Sequence, residues 1–218
     1  MRKPTFIFRL LIVCAILLVL SIGAYFALEA WNARNDLPSG SSLYLGKNGD
    51  YLVQEAERNG VQFYDIHISV SDPTGSSRNI IYPMRNPPAS AEQISVSRSL
   101  RYSLFKPTIF ITQDPSLIEE SKSLSIVAAT EFGRVLGKGE TGVYQDEVFY
   151  THTLGTPSPS LQIKTCKDVS ADATVILLRS GNSSSVTVEN DCVIVQGANS
   201  KELILAADAL AYYLLSVF

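Results

Sequence analysis

CVIVQGANSKELILAADALAYYLLSV, residues 192–217, reads as a buried strand run straight into a helix. Four apolar residues open it, three of them β-branched or cysteine neighbours of β-branched ones, which suits a strand covered on both faces. Residues 197–200 then lead into a helix over 201–217, with Leu203, Ala206, Ala207, Leu210, Leu214 and Leu215 on its inward stripe. A second unit of the same kind lies upstream. TIFIT, residues 108–112, is followed by Asp114-Pro115-Ser116, which can cap a helix over 116–136. Its stripe is Leu117, Leu124, Val127, Ala128, Phe132, Val135 and Leu136, and Gly137 ends it. ATVILL, residues 173–178, supplies another buried strand. Buried strands alternating with amphipathic helices give an α/β domain, expected here as one mixed sheet with two main packing helices.

The remaining segments fill in around those units. VQFYDIHISV, residues 61–70, sets Ile66, Ile68 and Val70 against Asp65, His67 and Ser69, the alternation of a strand with one polar face. A turn at 72–75 returns it to residues 79–82 as a hairpin. Pro83, Pro87 and Pro88 exclude regular structure, residues 94–96 suit an edge strand, and 143–150 a further strand. Residues 180–183 supply the turn of a hairpin into 185–189. Residues 29–50, rich in Pro, Gly, Ser and Asn toward their end, read as a linker that becomes ordered near 43–45. The domain itself is expected over residues 51–218.

Ahead of the linker, LLIVCAILLVLSIGAYFAL, residues 10–28, contains no charge. As a helix it is about 28 Å long, close to the ~30 Å hydrocarbon core of a bilayer. Arg2, Lys3 and Arg9 precede it, whereas Glu29 and Asp36 balance Arg34 beyond it. The excess of positive charge belongs on the cytoplasmic side, so residues 1–9 form a cytoplasmic stub and residues 29–218 lie outside. Tyr25, Phe26 and Trp31 fall at the expected outer interface. A cleaved signal peptide is the alternative, but the run exceeds the usual ~7–15 apolar residues and its cleavage candidates place a bulky residue at −3. Cys14 sits early in the run after β-branched Val13, unlike the acceptor cysteine of a lipoprotein.

Beyond residue 28 the chain carries 15 basic and 21 acidic residues, a net −6 (18 basic less the three before the span). A net acidic domain without a basic cluster is a poor partner for nucleic acid or anionic lipid. Two cysteines, Cys166 and Cys192, remain in the outer part, where an even pair favours a disulfide. Closing that loop of about 27 residues is worth on the order of 3.5 kcal/mol in the chain-entropy picture. Asn182-Ser183-Ser184 is a glycosylation sequon at the turn expected there.

Catalytic signals are sparse. Asp65 and His67 share a strand face, yet the one other histidine, His152, is distant in sequence. Asp146-Glu147 and Glu119-Glu120 are adjacent pairs that read as surface charge. Gly137-Lys138-Gly139 follows a helix instead of opening one, so it is no phosphate loop. No catalytic residue, metal ligand or cofactor site is therefore expected. Arg85, flanked by Pro83 and Pro87, is the charged residue best placed for an interaction, either with a partner or as an ion pair within its own domain. Asp208, beside small alanines on the last helix, is either paired internally or exposed.

Cys166, residues 175–178, Cys192-Val193-Ile194-Val195-Gln196-Gly197 and Ala206-Ala207-Asp208 resemble the tail of a group of uncharacterised archaeal single-pass membrane-anchored proteins. Asn59-Gly60-Val61-Gln62-Phe63, Tyr82-Pro83-Met84-Arg85 and Asp114-Pro115 are similar to its middle. The resemblance spans most of residues 59–218 and implies topology without an activity. Together these features lead to an anchored extracytoplasmic module that assembles with other membrane or envelope proteins. The alternatives are an envelope glycan hydrolase using two carboxylates, or a small-ligand receptor.

Overall fold

The computed structural model describes residues 18–25, 40–46, 48–71, 77–151 and 163–218. The chain divides into two compact units, Met1–Ser41 and Ser42–Phe218. In the first, residues 18–25 are helical and Leu18, Val19, Leu20, Ile22 and Tyr25 are exposed. Residues 10–17 and 26–28 of the expected span, like the stub 1–9, lie outside the described residues. Among the described residues no helix is long and apolar enough to cross a membrane.

The second unit holds two sheets. The first has the order β1 (Ser41–Gly46), β2 (Gly49–Arg58), β3 (Val61–Ser71), β4 (Ser77–Met84). The second has the order β5 (Ser95–Val96), β9 (Ser185–Glu189), β10 (Cys192–Gly197), β8 (Ala173–Ser180), β6 (Thr108–Gln113), β7 (Glu147–Tyr150). Short helices α1 (Pro88–Ala91) and α2 (Leu100–Leu104) precede the long ones, α3 (Pro115–Leu136) and α4 (Ser200–Leu214). The mixed α/β class stands, but one sheet becomes two. The reason lies in the first hairpin. Asn59 and Gly60 both take positive φ (55° and 73°), the conformation of a tight hairpin turn, so β2 pairs with β3 before β3 pairs with β4. Pro87 and Pro88 then stop the ladder before it can join the other sheet. The expected linker gives way to strand at Ser41, where β1 begins.

Both helices pack between the sheets. Val53, Ile66, Ile68, Ile80, Tyr82 and Met84 of the first sheet share one core with α3, α4 and Ile109, Ile176, Val193 and Val195 of the second. Helix α4 is consequently buried nearly all round, from Leu203 through Tyr212, instead of on one stripe. On α3 the expected stripe holds for Leu117, Ala128, Phe132, Val135 and Leu136, while Leu124 is exposed. At Gly197 a Cβ would lie 2.2 Å from the Leu203 amide nitrogen, so the helix returns against its own strand at the closest possible range.

Strands β6, β8 and β10 are parallel neighbours, as buried β-α units require. The expected hairpin at 180–183 is corrected. Strand β9 pairs with β10, and β10 lies between β8 and β9. Asn190 and Asp191, both at positive φ, make the tight turn instead. On the sheet face away from the helices, Val175, Cys192 and Ile194 form a smaller core with Cys166 and Val169. Cys166 and Cys192 are disulfide-bonded there, with Cα atoms 5.3 Å apart.

Candidate functional site

The densest charge in the fold lies where the end of the first sheet meets the helix pair. Strand β4 stops at Met84, and a bend at Arg85 and Asn86, ahead of Pro87 and Pro88, carries these two side chains to α3 and α4. Glu131 of α3 is 2 % exposed and Asp208 of α4 is fully buried. Arg134, one turn beyond Glu131, donates to its Oε2 and also to the carbonyl of Pro83. Arg85 Nε is 3.8 Å from Glu131 Oε1, and its guanidinium lies 4.4 Å over the Phe63 ring. Asp208 Oδ2 accepts from the Asn86 amide at 2.9 Å and from Asn86 Nδ2 at 2.7 Å. Tyr212 donates to the Asn86 carbonyl at 2.6 Å.

Burial pushes the Asp208 carboxyl far above the usual range, and the nearby Glu131 charge adds to it, outweighing the Asn86 donors. Burial also pushes Glu131 up, but Arg134 and Arg85 pull it back. Glu131 pairs with both Arg134 and Arg85, whereas Asp208 has only neutral hydrogen-bond donors and the more distant pull of Arg134, so of the two Asp208 is the one that holds a proton. Arg85 thus serves as an internal ion pair with Glu131. The cluster ties β4 to both helices, and its carboxyls are closed off from solvent.

Arg134 also lines a cavity of about 470 Å³ at the C-terminal end of α3. The segment after the helix is strapped to the first sheet: Arg78 donates to the carbonyls of Glu140 (2.8 Å) and Gly142 (2.7 Å), and Tyr82 to that of Thr141. That brace presents Asp146, Glu147, Lys138 and Tyr150 to the same hollow. Desolvation pushes the Asp146 carboxyl up to about 6 against the opposing pull of Lys138. Glu147, hydrogen-bonded by Lys138 at 2.8 Å, is held below the usual range. Two adjacent acids are therefore shifted in opposite directions, a spread that acid–base sites use. Glu147's oxygen is already engaged by Lys138, however, and both of those side chains are exposed.

No family model, curated protein or solved structure matches this chain. The site must be weighed on its own chemistry. A concave site that gathers two or more of Asp65, His67, Asp146, Glu147 and Arg85 is what an enzyme would need, and the cavity brings together Asp146 and Glu147 without Asp65, His67 or Arg85. Asp65 pairs with Arg58 on the outer face of the first sheet. His67 lines a separate hollow of about 450 Å³ beside Asp50, Ser69 and Asn79. Among the described residues no three His, Cys, Asp or Glu side chains are gathered so as to hold a metal ion. Asn182 is exposed on the β8–β9 connection, whose backbone is pinned by Gln196 donating to the Ser183 carbonyl at 2.9 Å. His152 and Cys14 lie outside the described residues, as do the side chains of Glu119 and Glu120.

Two features escaped sequence reasoning. Glu131 and Arg134 sit three apart on a helix, an ordinary surface spacing, and only the overlying Arg85–Asn86 segment makes them interior. The second is a run without acid, residues 93–113, holding Arg98, Arg101 and Lys106, a local basic stretch hidden by the domain's net negative charge.

Proposed function

We propose that this chain is a membrane-anchored module, held by residues 10–28 with its α/β domain outside the cytosol, that acts by binding other membrane or envelope proteins. The observation that carries the reading is the Cys166–Cys192 disulfide. Such a bond persists in oxidising compartments and is rare where thioredoxin and glutathione keep thiols reduced. The uncharged run 10–28 and the basic residues before it give the same orientation independently. A binding role agrees with the use of the part-buried arginines: Arg85 and Arg134 are each engaged by an acid of the same domain.

The test is external proteolysis of intact cells or spheroplasts, followed by purification in mild detergent. Digestion of residues 29–218 with the N-terminus protected, and copurification of a stoichiometric membrane protein, is the expected result. A domain resistant to external protease but cut after lysis overturns the localisation, and a monodisperse lone monomer overturns the assembly role.

One observation favours a second reading, a carboxylate hydrolase of envelope glycans: Asp146 and Glu147 line one cavity with their carboxyls shifted in opposite directions. Glycan hydrolysis needs two acids about 5–10 Å apart on either side of the bond. Turnover of cell-wall or envelope glycans lost in Asp146→Asn selects this reading, and no turnover by the parent protein discards it.

A further inference from the structure

The short helix α2 is packed by one face and leaves the other open. Leu100, Ser103 and Leu104 are buried, while Arg101 and Tyr102 on the helix, Arg98 in the turn before it and Phe105 just after it are exposed. Tyr102 is 81 % and Phe105 70 % exposed, the two most exposed aromatic side chains among the described residues. Lys106 adds a third cation directly after them, and no acidic residue occurs from 93 to 113. Among the described residues no carboxylate pairs with Arg98, Arg101 or Lys106, in contrast to Arg58, Arg85, Arg134 and Arg179. Arg101 instead donates to Ser216 Oγ at 3.1 Å, with its guanidinium 5.8 Å above the Tyr213 ring. The fold therefore holds two aromatic rings in water, flanked in the chain by cations that no carboxylate among the described residues pairs.

We infer that this face of α2 docks on the anionic lipid surface of the bilayer that holds the anchor. Aromatic rings that are apolar with one polar handle, flanked by Arg and Lys, are the composition of an interfacial membrane contact. Arg98, Arg101 and Lys106, in a stretch without acid, complement the negative headgroups of an anionic leaflet. The position of the patch is suitable as well. Asn48 Nδ2 and Tyr51 Oη, at the start of β2, donate to the Ser216 carbonyl, the residue whose hydroxyl receives Arg101. Helix α2 and the first hairpin, through which the chain enters the domain from the expected anchor, are thus seated on one residue. Residues 29–40 lie between the expected span and β1 and can extend about 40 Å at most. Held within that reach, the face needs only weak affinity, because the tether makes its encounter with the surface intramolecular.

The inference rests on the anchored reading, and one experiment separates the two. Trp31 is the chain's one tryptophan and lies just beyond the expected span. The full chain is reconstituted in nanodiscs of phosphatidylcholine alone or with phosphatidylglycerol, with acyl chains brominated to quench tryptophan. In the parent, Trp31 reports insertion of the anchor. In Trp31→Phe/Phe105→Trp, the new tryptophan reports docking of α2. Docking gives blue-shifted, quenched emission at position 105 in anionic discs alone. It is lost at about 1 M salt, where the screening length falls to about 3 Å. In the background that also carries Arg98→Ala, Arg101→Ala and Lys106→Ala, the docked population falls about 100-fold. Arg98 and Arg101 are exposed and Lys106 half-exposed, so a melt of each variant beside the parent separates loss of docking from loss of fold. Quenching of Trp31 with water-like emission at position 105 overturns the docking and leaves the anchor standing. Equal quenching at 105 in neutral discs overturns the electrostatic recognition, and quenching at neither position overturns both proposals.

Discussion

Asn86 donates two hydrogen bonds, from its backbone amide and its side chain, to one oxygen of Asp208, and the Asp208 carboxyl has no cation of its own among the described residues. A fully buried carboxyl with neutral donors only is held as the acid, as its strongly raised pKa expresses.

Asp208→Asn is therefore close to isosteric with the group already present. The unfolded carboxyl titrates near 3.9, far below the folded one, so across that interval the folded state holds the extra proton. Stability of the parent must fall as pH rises there, by about 1.4 kcal/mol per unit for one proton. Asp208→Asn removes this slope. Melts of parent and variant should coincide near the unfolded pKa of about 4, with the variant gaining steadily as pH rises toward neutrality. A variant that is several kcal/mol weaker across the whole range would show that Asp208 is ionised and indispensable.

Glu131 tests the other half of the cluster. Its side chain is 3 % exposed and that of Arg134 22 %, so Arg134→Met leaves a buried carboxylate with only the more distant Arg85 opposite it. The expected loss is about 3–5 kcal/mol, with part recovered in Arg134→Met/Glu131→Gln. Arg85 sits farther from Glu131 and is more exposed, so Arg85→Met should cost about 1 kcal/mol, chiefly its contact with Phe63. Equal losses at both arginines in denaturant titrations would contradict the assignment of the charge pair to Arg134.

Much of this layout was legible beforehand, and the gaps have physical causes. The strands at 108–113, 173–180 and 192–197 announced themselves as apolar runs because both of their faces are covered. Strand β2 did not, since GDYLVQEAER buries Val53 alone and alternates weakly. Its signal was the Asn59-Gly60 turn, a strong hairpin mark that stood in the sequence unread. Missing β2 left the expected 61–70/79–82 hairpin as an appendage instead of the core of a separate four-stranded sheet. With that sheet absent, α4 looked one-sided, although Ala206, Ala207, Ala209 and Ala211 are small enough to admit a layer on each side. Arg85 and Asp208 drew notice as charges near proline and alanine. Their partners lay on a helix face that only the second layer covers.

Two glycines should separate strain of the chain from strain of packing. Gly60 takes φ 73° with open space about its Cα, so Gly60→Ala costs about 1–2 kcal/mol of backbone strain and nothing more. At Gly197 an added methyl carbon meets the Leu203 amide nitrogen at 2.2 Å and its Cα at 2.4 Å. Backbone cannot turn aside as a side chain can, so α4 must lift from β10, and Gly197→Ala should cost at least about 3 kcal/mol. Hydrogen exchange distinguishes them: opening confined to the β2–β3 hairpin for Gly60→Ala, and spread through α4 and β10 for Gly197→Ala. Comparable local patterns in the two variants would remove the close helix–strand contact from the account.

The disulfide binds a segment with little apolar surface of its own. Cys166 opens a 3₁₀ turn, Cys166–Asp168, capped by Thr165 and Asp168 in a reciprocal box, and lies on the sheet face against Val175 and Ile194. Without the bridge, Val169 and Cys166 offer too few contacts to hold that turn in place, and the far face of β8 and β10 is open to water. With a sequence separation of 26 residues, loss of the bond should cost about 2–4 kcal/mol. Cys166→Ser, Cys192→Ser and the double substitution remove the same bond. Their melting losses under non-reducing conditions should therefore agree, apart from the small extra penalty of a hydroxyl at the fully buried Cys192. Reduction of the parent should reproduce that loss, while external protease still reaches the domain because the anchor is untouched. A parent whose melting is indifferent to reductant would mean that the bridge contributes nothing to the folded domain.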